Sequence, residues 1–394
     1  MSPAQNRVSL PSIFRAFFLL GLTAFGMAIL QKLKELVRQD GWLTEEEMND
    51  GLAMVQLYPG PIMVDFTAYT GYKLRGVAGA FMAILGFVIP TTILVLVLSA
   101  AYFRYGSLPW VQSFIVGLEA LVVGIVLHVT LDLGKRAIKG PLEALIMLAA
   151  FAGLASRINA VWVVMLALMV GAVFIRPRPE QVPGKTPSAG SEARGGWPGI
   201  LLATFITLMV AGGCAVLSSD IGRMALSFFK IGSVAFGNGM TILPLVQADA
   251  VDTFHWLSPH QFVDGIAISQ ITPGPFLVIA TFIGYKLGGV GAALLATFAI
   301  FAPSFVMTLV FTEVYGRIQN LTFVRGALSG VLAGFVGMLA MIVVQLGRVG
   351  IVGAASLTLA LAAFVAVRWL KVDILWVFAG GLVIWGGLLA LGGV

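Results

Sequence analysis

Apolar runs long enough to cross a lipid bilayer recur from Phe14 to Val394, most of them joined by short polar connections. Hydrocarbon offers no water to backbone N–H and C=O groups, so each crossing of this kind must be a helix. Composition agrees: 59% of the 394 residues are hydrophobic, 11% are charged, and mean hydropathy is +0.98. The expected fold class is all-α, a polytopic integral membrane protein embedded in lipid, which excludes a soluble enzyme with one anchor. The first run, about 13–30, lacks a small-residue cleavage site and reads as a spanning helix rather than a signal peptide. The net charge of +6 comes from Lys and Arg scattered through short loops, as positive-inside bias requires, so nucleic acid is not an expected partner. Cys214, the single cysteine, excludes an intrachain disulfide and a thiolate metal cluster.

Residues 176–198 interrupt the apolar pattern with Pro, Gly, Ser and charge, the composition of a linker. Gly184-Lys185-Thr186 within it resembles the end of a phosphate loop, but Pro179 stands where the first glycine is needed, so no ATP site and no cofactor are expected. On either side the chain repeats itself. Trp42-Leu43-Thr44, Asp50-Gly51, Ala53, Gln56 and Pro59-Gly60-Pro61 return as Trp256-Leu257-Ser258, Asp264-Gly265, Ala267, Gln270 and Pro273-Gly274-Pro275. Gly71-Tyr72-Lys73-Leu74 matches Gly284-Tyr285-Lys286-Leu287, Pro90 matches Pro303, and Gly21 matches Gly232. The expected organisation is a first repeat over 1–175, a linker plus an extra membrane helix near 198–217 within 176–223, and a second repeat over 224–394.

Each repeat holds six apolar passages, near 12–31, 51–73, 77–101, 111–131, 141–156 and 158–175, and near 224–246, 265–287, 289–312, 324–346, 349–367 and 373–392. Together with the unmatched helix these make thirteen crossings, which turn the second repeat upside down relative to the first. The distribution of Lys and Arg agrees with an inside N-terminus. Were both Pro-Gly-Pro segments re-entrant, an outside N-terminus and parallel repeats would fit nearly as well. Thirteen crossings are preferred because Gly51 to Lys73 is long enough to span.

Thr44 with Glu47, and Ser258 with Gln261, have capping-box spacing and mark two helix starts. Glu45-Glu46-Glu47 suits the positive end of the first helix as an interfacial face. Each capped helix runs into Pro-Gly-Pro, where the second proline lacks an N–H and the helix must break. New helices beginning at Pro61 and Pro275 leave the amides of Ile62, Met63 and Val64, and of Phe276, Leu277 and Val278, unpaired. Two such N-termini can clamp one oxyanion, with Gln56 and Gln270 donating neutral hydrogen bonds. The plainer alternative is a kink whose freed carbonyls are satisfied by the glutamines. Phe25-Gly26 and Phe236-Gly237-Asn238-Gly239 allow either close helix packing or an unwound stretch on the same cavity. Lys230 can neutralise an anionic substrate, while Glu119 and Asp65 are coupling candidates, because intramembrane charge is costly unless it functions or is paired. His128, His255 and His260 form no metal motif and no Gly-x-Ser-x-Gly element occurs, so neither a metal site nor an enzyme is expected.

At Phe228-Phe229-Lys230-Ile231-Gly232, Phe236-Gly237-Asn238-Gly239 and the two Gln-x-x-Pro-Gly-Pro elements, nearly the whole chain resembles the long-chain, two-domain form of the chromate transporter family. The resemblance implies secondary active export of chromate across a bacterial inner membrane, driven by the proton gradient or by anion exchange, and hence chromate resistance. It also implies oppositely oriented halves, thirteen spans and a homodimer. The first half departs from the family's Phe-Gly-Gly-Pro, reading Phe25-Gly26-Met27-Ala28, and Leu19 replaces the basic residue expected opposite Lys230. Alternatives are a passive oxyanion channel, a transporter of sulfate or another anion, and a non-transporting membrane scaffold.

Overall fold

The computed structural model describes residues 8–25, 28–175, 196–217, 219–237, 239–318 and 322–391. Most of the linker, together with Gly26 and Asn238 of the expected site, lies outside the described residues. Fifteen α-helices and one pair of two-residue strands form the described chain. Five of the helices are long and apolar enough to cross a membrane.

The chain breaks more often than its hydropathy indicates, and each break is a reversal. Helix α1 (Leu10–Thr23) is capped by Ser9 and stops at Ala24, and α2 (Ala28–Gln39) returns beside it. The rings of Phe17 and Trp42 lie 5.8 Å apart, and Lys32 Nζ donates to Thr23 O at 2.6 Å. Helix α3 (Glu45–Met54) begins at the expected capping box, Glu47 N donating to Thr44 Oγ1 at 3.1 Å and Thr44 N to Glu47 Oε2 at 3.0 Å. After β1 (Gly60–Pro61), α4 (Ile62–Tyr105) folds back on α3. Tyr69 Oη donates to Glu47 O at 2.9 Å, and its ring occupies the space left by the absent side chain of Gly51.

Helix α4 then turns on itself at Arg75–Gly76, where Gly76 takes the left-handed φ of +63°. Beyond this turn Gly79 and Ala80 pack directly on Gly71. A straight helix would hold residues 71 and 79 about 12 Å apart, so the segment 77–105 runs back along 62–74. The second half repeats each reversal. Helix α9 (Asp220–Gly232) leads through β2 (Phe236–Gly237) to α10 (Leu243–Gln247) and a π-helical turn, Ala248–Thr253, with Phe228 and Trp256 6.5 Å apart. Helix α11 (Pro259–Ile271) carries the Ser258–Gln261 box, and α12 (Ile279–Ile318) reverses at Gly288–Gly289.

Segments 51–73 and 265–287, each expected as one crossing passage broken at Pro-Gly-Pro, are instead folded back on themselves. Both are hairpins that turn at Pro-Gly-Pro. The physical reason is that Pro61 and Pro275 supply no N–H to continue the preceding helix, while small Gly51 and Gly265 admit the aromatic rings of Tyr69 and Phe282 from the returning arm.

The remaining elements interlock the halves. Helices α5 (Pro109–Ala137) and α13 (Thr322–Gly350), which occupy matching places in the two repeats, run antiparallel: Glu119 lies against Gly350 and Gly134 against Val336. Helices α6 (Pro141–Ala155) and α7 (Ala160–Phe174) pack on α13 of the other repeat, Gly171 meeting Gly326 and Gly330. Reciprocally, α14 (Ala354–Arg368) and α15 (Ile374–Ala390) pack on α5, where Gly124 meets Ala360 and Phe364, and Gly117 meets Trp385. Helix α8 (Trp197–Val216) lies on the periphery against α4, α9 and α12, with most of its surface exposed.

The close approach at Gly71 gives a test of the α4 hairpin. Gly71→Val should lower stability by about 1–3 kcal/mol through overpacking, read as a fall in the melting temperature of the purified protein. Gly291→Ala, at a helical position with open space around it, should not lower it.

Candidate functional site

The four broken tips converge. β1 pairs in parallel with β2, Gly60 opposite Phe236 and Pro61 opposite Gly237. In the reciprocal place Gly274 N donates to Ala24 O at 2.9 Å. Each repeat's Pro-Gly-Pro therefore bonds to the break after the other repeat's first helix. The backbone groups that no helix can pair are satisfied across the pseudo-symmetric junction, as apolar surroundings require. Two glycines are needed here for their conformation, Gly237 at φ +71° and Gly274 at φ +99°.

A cavity of about 640 Å³ opens beside the junction. Met63 lies on its wall in the first turn of α4, and Phe276 in the turn that leads into α12. Pro61 and Pro275 are the N-caps of these turns, and neither helix start receives a side-chain cap. Ser269, Gln270, Thr272 and Gly274 continue the wall from α11 through the tip, with Ile29 and Gln31 from α2 and Met240 beyond β2. Gln270 is buried, and its Nε2 makes only a long contact, 3.6 Å, to Met240 Sδ.

The opposite wall belongs to α5 and the α14–α15 hairpin. At 15 and 17 residues these two helices are shorter than a full span, and their connection shares the cavity wall with His128, Val129 and Asp132 of α5. That connection brings Arg368 and Lys371 to the cavity. The acids nearby are engaged: Asp132 pairs with Arg136 at 2.8 Å, and Asp373 caps α15 by accepting from Leu375 N at 3.0 Å. Arg368 and Lys371 have no ion-pair partner among the described residues. With Arg136 counted against Asp132, the cations exceed the carboxylates by one, and this excess together with two uncapped helix N-termini suits a small anion. The matching loop of the first repeat carries Arg157, which shares the left-handed conformation of Lys371 but has Asp252 nearby.

Of the residues singled out from sequence, Met63, Gln270, Gly274 and Phe276 reach the cavity wall. Pro59, Gly60, Pro61 and Ile62 form the first tip. Pro273, Pro275 and buried Leu277 form the second, and Leu277 also fills the space beside Gly239, which holds φ +85°. Two of the residues expected as ligands, Gln56 and Lys230, lie off the cavity wall. Gln56 Nε2 turns back to donate to Leu52 O at 2.9 Å, satisfying a carbonyl freed by the break. Lys230, 44% exposed, pairs with Asp249 at 2.9 Å, and Ser227 Oγ donates to the same carboxylate at 2.5 Å. Its charge is thus neutralised away from the cavity.

Asp65 is fully buried at the first tip. Ser304 donates to its Oδ1, while Oδ2 has no partner and lies so close to Gly60 that a Cβ there would overlap it. Thr91, the counterpart of Ser304, likewise crowds Gly274 with an unpartnered hydroxyl. Glu119 is on the far side of α5's cavity-lining turn and accepts from, or shares a proton with, His260 Nδ1 at 2.7 Å.

Sequence reasoning missed His128, Arg368, Lys371 and Thr91. Thr91 and Ser304 had a legible signal, since each follows one of the matched prolines Pro90 and Pro303. The shortness of the passages around Arg368 and Lys371 was the signal for a charged connection that stops short of a full span.

The helices, their apolar lengths and the interlocked halves define a multi-pass membrane transport protein, with a cation-lined cavity where broken helices meet. The sequence profile of the family described as "Chromate transporter" matches residues 11–172 and again 222–385, and the chain belongs to that family. It is 30% identical over 360 residues to a chromate transport protein of Cupriavidus metallidurans, covering 88% of this chain and 84% of that one. It is 29% identical over 345 residues to a probable chromate transport protein of Synechococcus elongatus, covering 86% and 85%. An uncharacterized transporter of Methanocaldococcus jannaschii is 27% identical over 345 residues, again covering 86% and 85%. No solved structure matches the chain significantly. The family consists of transport proteins and not enzymes.

Gly274→Ala tests the junction. It adds strain at positive φ and a clash with Thr91 Oγ1, which together should cost about 2–4 kcal/mol of stability. The expected readout is a lower melting temperature and loss of anion flux in reconstituted vesicles.

Proposed function

We propose that the chain is a secondary active transporter that exports chromate across a bacterial inner membrane. The observation that carries this reading is the convergence of two uncapped helix starts, Gln270 and the cations Arg368 and Lys371 on one cavity. Chromate is a tetrahedral dianion. Backbone amides at the starts of α4 and α12 would receive its oxygens, Gln270 would add a neutral donor, and Arg368 and Lys371 would balance the charge. Membership of the family, and the names of the Cupriavidus and Synechococcus relatives, support chromate as the cargo.

The same reading makes the two halves inverted repeats. Support comes from the antiparallel course of α5 and α13 and from the reciprocal bonding of the tips. Rocking of one repeat against the other would expose the junction alternately to the two sides. Helix reversals, not the number of apolar passages, set the topology: hairpins that turn at the tips leave the orientation of the following long helix unchanged. A single pair of labels tests this. In a Cys214→Ser background, Gly140→Cys after α5 and Val352→Cys after α13 should react with an impermeant maleimide from opposite sides of the membrane; labelling from one side would remove the inverted arrangement.

Sulfate has the same shape and charge, and it is the second reading the site favours. Uptake of labelled chromate into inverted vesicles under an imposed proton gradient, with sulfate as competitor, separates the readings. Saturable accumulation that sulfate does not displace is the expected result; displacement by equimolar sulfate would make the site a general oxyanion site. Equilibration without accumulation would make the protein a channel. At normal membrane abundance, Arg368→Gln should raise the half-saturating concentration about tenfold and Gln270→Ala about fivefold, the losses expected for a charged and a neutral hydrogen bond. Unchanged kinetics in both variants would remove the cavity as the binding site.

A further inference from the structure

Away from the cavity, a line of titratable groups leads from the surface into the protein between α4, α5 and α11. His260, in the first turn of α11, has a side chain 63% exposed, and its Nδ1 lies 2.7 Å from Oε1 of Glu119, whose side chain is only 1% exposed. Asp264, one turn further along α11 and 5% exposed, lies within electrostatic reach of both His260 and Glu119. Tyr102 Oη donates to Asp264 Oδ2 at 2.5 Å, while Oδ1 is buried with no partner. Two carboxylates are thus held out of water in one neighbourhood, with an imidazole at the mouth and a phenol at the inner end.

Among the elements packed around the pair, the titratable groups acting on it are His260 and Tyr102. Lys286 of α12 sits over the ring of Phe103 at 5.1 Å. Backbone from Gly350, at the end of α13, covers Glu119 on its other side. Among the described residues, His260 is the cationic group that acts on the pair, so two buried negative charges stand uncompensated when it is neutral. Two like charges in such surroundings repel, and one bound proton relieves the repulsion and gives the orphaned oxygen a partner.

We propose that Glu119 and Asp264 form a proton-binding pair that is loaded from the surface through His260. The neutral imidazole, protonated at Nδ1, passes that proton to a carboxylate oxygen of the pair while Nε2 at its exposed edge takes one from hydronium: an N–H bond breaks as an O–H bond forms at the carboxyl, and an O–H bond of hydronium breaks as an N–H bond forms at Nε2. The site deepens the transport reading and rests on it for its purpose. Asp264 and Gln270 share α11, about 9 Å apart along its axis, and Asp264 ties that helix to α4 through Tyr102. Proton occupancy would change the charge that holds the α4 contact, and so couple the proton to movement of the tip that carries Gln270.

Infrared spectroscopy of the full-length protein in lipid, titrated over pH without chromate, tests the proton site separately from the cargo. The wild type should show a carboxylic-acid carbonyl band that titrates. Glu119→Gln and Asp264→Asn should each remove that component, because the proton is shared. Tyr102→Phe keeps both carboxyls and removes only a donor to the charged form; it should move the midpoint upward by about one pH unit. A spectrum unaltered by Glu119→Gln and Asp264→Asn overturns the proposal, as does an unmoved midpoint in Tyr102→Phe. The band persists if chromate proves to be the wrong cargo, so the two failures are distinguishable.

Discussion

The structure depends on one exchange of backbone hydrogen bonds. Pro-Gly-Pro ends a helix inside an apolar chain and releases N–H and C=O groups that have no water to turn to. Here the first tip is answered by Phe236 and Gly237, and the second by Ala24, each partner drawn from the opposite repeat. A single repeat would leave its tip unsatisfied, which gives a physical reason for the two copies to be folded together. The same junction sets Met63 and Phe276, the residues just beyond the two tips, on the wall of a cavity.

Close packing of glycine maintains the junction from outside. Gly21 and Gly86 bring α1 against the return arm of α4, and Gly232 does the same for α9 and α12. In the other layer Gly171, Gly326 and Gly330 let α7 touch α13, while Gly124 lets α14 touch α5. Without a hydrophobic force between helices in lipid, such backbone approaches supply the contact surface. The last hairpin of each repeat packs on the long helix of the other, so the two halves share one packed layer.

The two halves are alike in scaffold and unlike in charge. Asp65 stands at the first tip and has an aliphatic counterpart in the second half; Glu119 answers to Leu332; Arg157 has Asp252 near it whereas Lys371 faces the cavity. The proposed anion site and proton pair therefore each join a residue the repeats share, Gln270 matching Gln56 and Asp264 matching Asp50, to one they do not, with α11 common to both. Duplication supplies the frame and divergence supplies the direction of the chemistry.

Hydropathy and repetition in the sequence were enough to determine an all-helical membrane protein of two related halves, both capped helix starts and the two Pro-Gly-Pro breaks, because these follow from local covalent and capping chemistry. Met63, Gln270, Gly274 and Phe276 could be singled out on the same ground. Tertiary structure decided that the broken passages turn back, since Gly51 admitting Tyr69 and Gly71 admitting Gly79 are contacts between segments that sequence spacing does not reveal. It also decided that Lys230 and Gln56 are used locally while Arg368 and Lys371 face the cavity: a side chain's partner is set by which distant helix packs beside it, and here that helix often belongs to the other repeat.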